Sequence, residues 1–548
     1  MLLDHHQYVP LYKQAFEILR EYDPSNDVDV RLRLTPALDR RRYNLPTSDE
    51  VAVILPGTAA TQPRDIVLRC QDGPLHRISD LHPGYSPLQY PLLFPRGEHG
   101  WHPGMVLQET ETQYNTRTQA RSRRHRERRE QGDEIEESED EDMDSPDSER
   151  RLTLSRYASF RLHNRLNEPN ALLRGGRLLT RFVVDIFASM DQQRLGYISR
   201  NQSKFRLARF NNLEDANMAD PDNLDLNDIG QRVFLPSSYI GGPRNMGQCY
   251  QDAMAVARHF GKPDLFVTMT TNPNWSEITD ELPEGQMAYD RPDIVARVFQ
   301  LKKKHLIDLI CKEGVFGKTV AHIYTIEFQK RGLPHVHILI FLKEPHKLLT
   351  PEAIDSSISA RWPDPVTEPA LFQTVKNCMV HGPCGAANPK AACMVNKKCS
   401  KGFPKAFCEA TTMDGNGYLL YRRPDDGRAY DVNGKMIDNR NIVPYNPFLS
   451  ATFNCHINVE CVVSLGSFKY IFKYVYKGPD RGALEVRQQD EVKQWIDGRY
   501  ISAPDASWRI LQFHMHRVVP NVVRLQVHLE NEHVVVFDAG DDPSAVVE

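Results

Sequence analysis

The chain has 548 residues, 40% of them apolar and 26% charged, enough for about two to four domains around a sizeable core. No apolar run approaches the roughly 20 residues of a membrane span. The opening MLLDHHQYVPLYKQ lacks the basic start and apolar run of a secretory signal, so membrane and secreted classes are not expected. Five of the ten cysteines fall within 378–408, which points to a reducing compartment and a metal site rather than a disulfide framework. The net charge of −4 conceals an uneven distribution. Setting aside the eleven acids of 133–149, a stretch without Lys or Arg, moves the remainder from −4 to +7, a balance that suits a polyanionic partner.

Residues 1–113 mix short strand-like runs, VAVILP and DIVLRC, with proline-rich turns and read as an irregular β-rich lobe. Residues 114–150 join a basic block, RTQARSRRHRERREQ, to an acidic one. Neither block can bury enough apolar area to offset ordering entropy, so a disordered insertion is expected. Its basic half has three readings: nuclear targeting, a contact to a DNA backbone, or a solvated charge run neutralised by its neighbour. Residues 151–258 read as helical, with apolar residues at i, i+3, i+4 spacing in LLTRFVVDIFASMDQQRLGYISRNQ. No GxxxxGK[ST] loop occurs, so no ATPase site is expected.

In 259–345, PDLFVTMTTNPNW reads as a buried strand carrying Thr268 and Thr270, and 291–313 as an amphipathic helix. A hairpin follows in which Lys330–Pro334 forms the turn. His335 and His337 flank Val336, so on a strand both imidazoles point one way, and the run Ile338–Leu342 anchors that strand in a core. The fold-back predicts Gln329 opposite His335 and Glu327 opposite His337, either of which supplies an oxygen ligand beside two nitrogens. The alternative is a surface strand with two incidental histidines. Strand, helix and hairpin in this order fit an α+β fold with a central antiparallel sheet.

Within 370–410, His381, Cys384, Cys393 and Cys399 place four soft ligands in 19 residues, among glycines and prolines that permit tight turns. Structural Zn²⁺ is the reading, with free buried thiols as the alternative. In 440–480, NCHINVECVV alternates as a half-buried strand with Asn454, His456, Asn458 and Glu460 on its polar face. SFKYIFKYVYKG then reads as a helix. Phe468, Ile471, Phe472 and Val475 make a core stripe, while Tyr470 and Tyr474 stack one turn apart, about 6 Å along the axis. Lys473 and Lys477 lie beside them. The same segment alternates at period two, so a strand is the competing assignment. In the tail, 481–548, His514 and His516 repeat the His-x-His spacing without an acid or a turn nearby and read as structural.

The stretch EFQKRGLPHVHIL, with Tyr-x3-Tyr further on, resembles the replication-initiator domain of Helitron transposons, a helicase-like domain of the HUH two-tyrosine rolling-circle nucleases. The resemblance covers most of 80–110 and 155–537. It implies an HUH-type central antiparallel sheet flanked by helices, with a helical N-terminal extension and a Cys-rich zinc-like insertion. It also implies a nuclear endonuclease and strand transferase that nicks single-stranded DNA. His335, His337 and Gln329 or Glu327 would hold Mg²⁺ or Mn²⁺. Tyr470 or Tyr474 would form a 5′-phosphotyrosine, with Lys473 and Lys477 favouring the phenolate. Helitron proteins continue into a helicase, and this chain ends without its phosphate loop. The expectation is therefore a fragment, a truncated copy or a derived gene, with unwinding supplied by a helicase in trans. The competing classes are a non-catalytic DNA-binding protein descended from such an element, and a water-using metal phosphoesterase with structural tyrosines.

Overall fold

The apolar run Ile338–Leu342 lies in the middle strand of a five-stranded sheet in a computed structural model of the chain. The structure describes residues 75–119, 151–165, 170–201, 235–328, 332–385, 388–391, 393–414, 418–463 and 494–523, together with the strand segments 29–32, 52–56, 66–69 and 481–487. The elements that build the molecule around its site begin with β1 (Asp29–Leu32) and β2 (Ala52–Pro56). Helices α1 (Leu154–Arg161), α2 (Arg177–Arg200) and α3 (Pro243–Phe260) follow. Next come β3 (Leu265–Thr270), α4 (Pro292–Cys311), β4 (Thr319–Phe328) and β5 (Pro334–Leu342). Helices α5 (Pro351–Ser357), α6 (Pro369–Cys378) and α7 (Pro447–Phe453) lead to β6 (Ile457–Cys461). Finally come β7 (Arg481–Arg487), β8 (Gln494–Ser502), α8 (Ala503–Ile510) and β9 (His516–Val519). Helices α3 to α7 each start on a proline, whose fixed φ and missing N–H suit the first helical position.

The central sheet runs β6-β3-β5-β4-β9 and is antiparallel throughout. Its two faces follow from the pattern of β5. Val336, Ile338, Ile340 and Leu342 point to one side, where α4 covers them with Val295, Phe299 and Leu306. Leu339 and Phe341 point to the other side, under Ala253, Val256 and Ala257 of α3. The far half of β5 is therefore apolar on both faces, as a strand sandwiched between helices must be. Only its first half, with His335 and His337, leaves the α3 side polar. Each fully buried aliphatic side chain here contributes roughly 1.5–3 kcal/mol, so the histidines sit on a strand held by a run of buried residues.

A second sheet, β1-β7-β8-β2, is also antiparallel. Its outer strands, β1 and β2, come from the β-rich N-terminal region, and its centre comes from beyond residue 480. From β8 the chain enters α8; Ile501 of β8 and Ala503, Ala506 and Ile510 of α8 share a core with Leu179, Phe182 and Phe187 of α2. It then returns as β9 at the edge of the central sheet. The disorder expectation for 114–150 is corrected at its start, since residues 111–119 are helical. There Arg117 forms an ion pair with Glu109 at 2.6 Å. Residues 120–150 lie outside the described residues.

Between β5 and α7 the chain builds a unit with its own core of Trp362, Leu371, Val375, Met379, Val432, Ile437, Ile442 and Tyr445. Asn439, fully buried, fastens it: its Nδ2 donates to Pro424 O at 2.8 Å, and its Oδ1 accepts the Trp362 N–H at 2.8 Å. The Cys/His segment is one edge of this larger unit.

Candidate active site and metal centre

Register and strand alternation bring Thr268 and Thr270 of β3, His335 and His337 of β5, Thr325 and Glu327 of β4, and His516 of β9 onto one face of the central sheet. Each threonine of β3 touches the histidine it pairs with. Thr270 Oγ1 lies 2.7 Å from His335 Nδ1, and Thr268 Oγ1 lies 2.9 Å from His337 Nδ1. Glu327 Oε2 lies 3.1 Å from His337 Nε2, and Phe266 stacks on the same imidazole at 5.6 Å and 8°. His335 is buried, while His337 and Glu327 are half-buried.

Two proton arrangements satisfy this geometry. In one, His337 Nε2–H donates to Glu327 and the Thr268 hydroxyl donates to Nδ1. In the other, Nδ1–H donates to Thr268 and the Nε2 lone pair faces the carboxylate. A lone pair and a carboxylate 3.1 Å apart repel unless a cation lies between them. With the proton on Nδ1, the Nε2 lone pair and Glu327 Oε2 would both face an ion placed between them, with Thr268 behind the ring. Two imidazole nitrogens and one carboxylate suit a divalent first-row ion, and the single acid would leave its charge largely uncancelled.

The hairpin register differs from expectation by two residues. Glu327 pairs with His335, Thr325 with His337 and Phe328 with Pro334. The cause is Pro334, expected in the turn but held in the strand because its carbonyl accepts both the N–H and the hydroxyl of Thr271, at 3.2 and 2.7 Å. Its missing N–H costs nothing at the first position of a strand. Glu327 still reaches His337, along the diagonal of the ladder. Gln329 lies outside the described residues, as do Tyr470, Lys473, Tyr474 and Lys477.

His516 was expected to be structural, with no acid or turn arranged around it. It stands on the polar face of the sheet, paired with Thr325, whose Oγ1 is 2.9 Å from His516 Nδ1. Its Nε2 is buried without a hydrogen-bond partner among the described residues, and burial pushes its pKa down to about 4, so it is neutral at pH 7. The His-x-His spacing was visible in the sequence, but the partner strand lies about 190 residues earlier. The expected polar face of 454–460 is also interrupted. Asn454 adopts a left-handed conformation that ends α7, and the His456 ring is turned away, its Nδ1 2.8 Å from Cys378 O.

The Cys/His segment forms the second centre. His381, Cys384, Cys393 and Cys399 place their ligand atoms within 4.8 Å of one another, and Cys399 Sγ is 3.3 Å from His381 Nε2. Among the described residues this is the one group of three or more such side chains drawn so close; the His335, His337 and Glu327 set is more open. A two-residue hairpin delivers Cys393 and Cys399. Asn396 and Lys397 at its tip take φ of 49° and 62°, the left-handed conformation such tight turns need. His381 is fixed by stacking on Phe403 at 4.2 Å and by an N–H bond to Asn441 O at 2.9 Å. Left to themselves, thiols this close share one negative charge. Burial, then hydrogen bonds to Cys399 and Cys393, push Cys384 up to about 12, and Cys393 rises as well. Cys399 is lowered, because backbone N–H groups of Phe403 and Lys401 and the neighbouring thiols outweigh its burial. Three sulfurs and one nitrogen drawn this close can hold a metal such as zinc, whose charge would remove this competition.

Residues 157–340 match the model of the family described as the Helitron helicase-like domain at N-terminus. The match ends inside β5, so it takes in α3, β3, α4, β4 and both site histidines. The Cys/His centre, the tyrosine segment and His516 lie beyond it. No curated protein matches the chain.

Proposed function

We propose that the chain is a metal-dependent nuclease and strand transferase that nicks single-stranded DNA through a 5′-phosphotyrosine intermediate. The observation that carries the reading is the threonine-backed pair His335 and His337 with Glu327 on one face of the central sheet. The Helitron helicase-like match over the same strands supports it. His335, His337 and Glu327 would hold Mg²⁺ or Mn²⁺, which when bound neutralises charge on the scissile phosphate. The phenolic oxygen of Tyr470 or Tyr474 attacks phosphorus. The O–P bond to tyrosine forms as the bond to the 3′-oxygen breaks, the phenolic proton passes to solvent or a nearby base, and the departing 3′-oxygen takes up a proton. Lys473 and Lys477, interleaved with the tyrosines in sequence, would favour the phenolate by lowering the phenol's pKa from its ordinary value of about 10. The phosphodiester energy is kept in the tyrosyl ester for rejoining, and the second tyrosine allows a second cut while the first ester persists.

The test is a denaturation-resistant adduct between the protein and the 5′ end of cleaved single-stranded DNA in Mg²⁺ or Mn²⁺. We expect the adduct from the parent chain, its loss in the Tyr470→Phe, Tyr474→Phe double variant, and unequal loss in the single variants. A parent that binds DNA but forms no adduct would be a non-catalytic DNA-binding protein. Cleavage without an adduct, unchanged in the double variant, would make it a water-using phosphoesterase.

A further inference from the structure

His516 shares the histidine face but takes no part in the proposed chemistry. Its ring is nevertheless held as the rings of His335 and His337 are. For each of the three, a threonine hydroxyl on the neighbouring strand meets Nδ1: Thr270 on His335 at 2.7 Å, Thr268 on His337 at 2.9 Å and Thr325 on His516 at 2.9 Å. Fixing Nδ1 in this way turns Nε2 into the nitrogen available to a ligand. His322, on the opposite face of β4, lacks the device; its Nδ1 lies 3.5 Å from Cys311 Sγ.

The rings of His337 and His516 also converge. Thr325 and Glu327 stand two residues apart on β4 and point to the same face. From β5, His337 puts Nε2 3.1 Å from Glu327 Oε2. From β9, on the other side of β4, His516 puts Nδ1 against Thr325. Both imidazoles therefore lean over one strand from opposite sides. Their backbones are two strand spacings apart, about 10 Å, a span that two inward-leaning rings with an ion between them can fill. At the far side of its ring, His516 Nε2 is buried and has no hydrogen-bond partner among the described residues. A buried polar atom without a partner is costly, and an ion or an ordered water is what ordinarily answers it. With Nδ1–H donating to Thr325 Oγ1, that atom is a buried lone pair, the form a metal ligand takes.

We propose that His516 is a third nitrogen ligand of the ion held by His335, His337 and Glu327, and that this set of three imidazoles and one carboxylate selects a first-row transition ion over Mg²⁺. The inference rests on the reading of this face as a metal centre. Imidazole suits first-row transition ions, whereas Mg²⁺ takes oxygen ligands and keeps several waters. A neutral imidazole also adds hold without adding negative charge, so the ion keeps its pull on a scissile phosphate.

The experiment loads the full chain with Mn²⁺, reads its affinity by calorimetry and counts its bound nitrogens by pulsed electron paramagnetic resonance. The parent is compared with His516→Phe, which keeps an aromatic ring and removes both nitrogens, and with His322→Phe as the control on the opposite face. His516→Gln repeats the test with a side chain that can still bond Thr325. The parent should show three histidine nitrogens on Mn²⁺, and both His516 variants two. In His516→Phe the Mn²⁺ affinity should fall about 100-fold, the upper end of what losing an orienting group costs, and Mg²⁺ affinity should fall less. Neither should change in His322→Phe. The proposal is overturned by two nitrogens in the parent, by a count that the His516 variants leave unchanged, by an equal loss of affinity in His322→Phe, or by a parent that binds no Mn²⁺. Adduct formation is read in parallel. A parent that forms the tyrosyl adduct while the nitrogen count stays the same in His516→Phe refutes the His516 ligand alone. A count that falls from three to two while the parent forms no adduct refutes the nuclease reading alone.

Discussion

Thr268 and Thr270 differ from valine by one oxygen each, and that oxygen is what holds each imidazole by Nδ1. Their place on a strand was foreseeable, since β-branched residues favour strands. Their contact with the histidines depends on the pairing of β3 with β5, 65 and 69 residues apart in sequence. Thr268→Val with Thr270→Val keeps shape and strand preference but leaves the rings unoriented. Mn²⁺ affinity measured by calorimetry should fall about 10–100-fold, the usual effect of losing the groups that orient ligands. The Thr→Ser pair should restore most of it, and unchanged affinity in the valine pair would show that the hydroxyls do not orient the ligands. The same titration separates the two candidate oxygen ligands. Glu327→Ala should weaken Mn²⁺ more than Gln329→Ala, because Glu327 Oε2 is already 3.1 Å from His337. The reverse order would return the ligand to Gln329.

The Cys/His hairpin is the element whose ligand pattern was plainest in sequence, because four soft ligands and a tight turn are local features that need no distant strand. The four ligand atoms lie within 4.8 Å of one another, close enough to hold a metal such as zinc. Freshly purified protein should contain about one zinc per chain by elemental analysis, and strong chelators should remove it with loss of structure around 381–399. The central sheet should survive, because its core does not include the Cys/His ligands. Protein with no zinc, or chelation that leaves amide exchange in 381–399 unchanged, would refute a metal at this hairpin. The tyrosine segment is the opposite case. Its helix and strand patterns overlap in sequence, and it lies outside the described residues, so the adduct experiment carries its assignment.

At the scale of the whole molecule, Lys303 shows how distant segments are bound into one core. It lies on α4, 3% exposed, with Nζ 3.2 Å from Tyr324 Oη on β4 and 5.4 Å from the Trp508 ring of α8. Burial, and then the charge of Arg517 on β9, lower its pKa to about 7. The unfolded chain holds that proton up to about pH 10.4. Between about pH 7 and 10.4 the unfolded state therefore binds more protons, and this lysine's cost to stability shrinks as pH rises. Lys303→Met keeps the length and removes the charge. The variant should be more stable than the parent at pH 7, with the difference narrowing as pH rises towards 10, by roughly 1.4 kcal/mol for each pH unit at most. Denaturant unfolding of both chains from pH 7 to 10 measures it. A difference that stays constant would mean the lysine is not held neutral by the fold.

What the sequence determined by itself was local: the alternation that puts His335 and His337 on one face, the apolar run that anchors them, the soft ligands of the Cys/His hairpin, and the mixed helix and sheet class with a central antiparallel sheet. These rest on periods of two and 3.6 residues and on ligand spacing, which the chain carries without reference to distant segments. The tertiary structure alone decided the register that puts Glu327 opposite His335, the threonines behind the rings, the arrival of His516 on the same face, and the sheet that joins residues near 30 and 54 to residues beyond 480. The physical reason is that strand pairing is made by backbone hydrogen bonds, which are the same for every residue. Which strands meet, and in which register, is chosen by the packing of whole faces and by single anchors such as the Thr271 bond to Pro334, and neither leaves a local pattern in the chain.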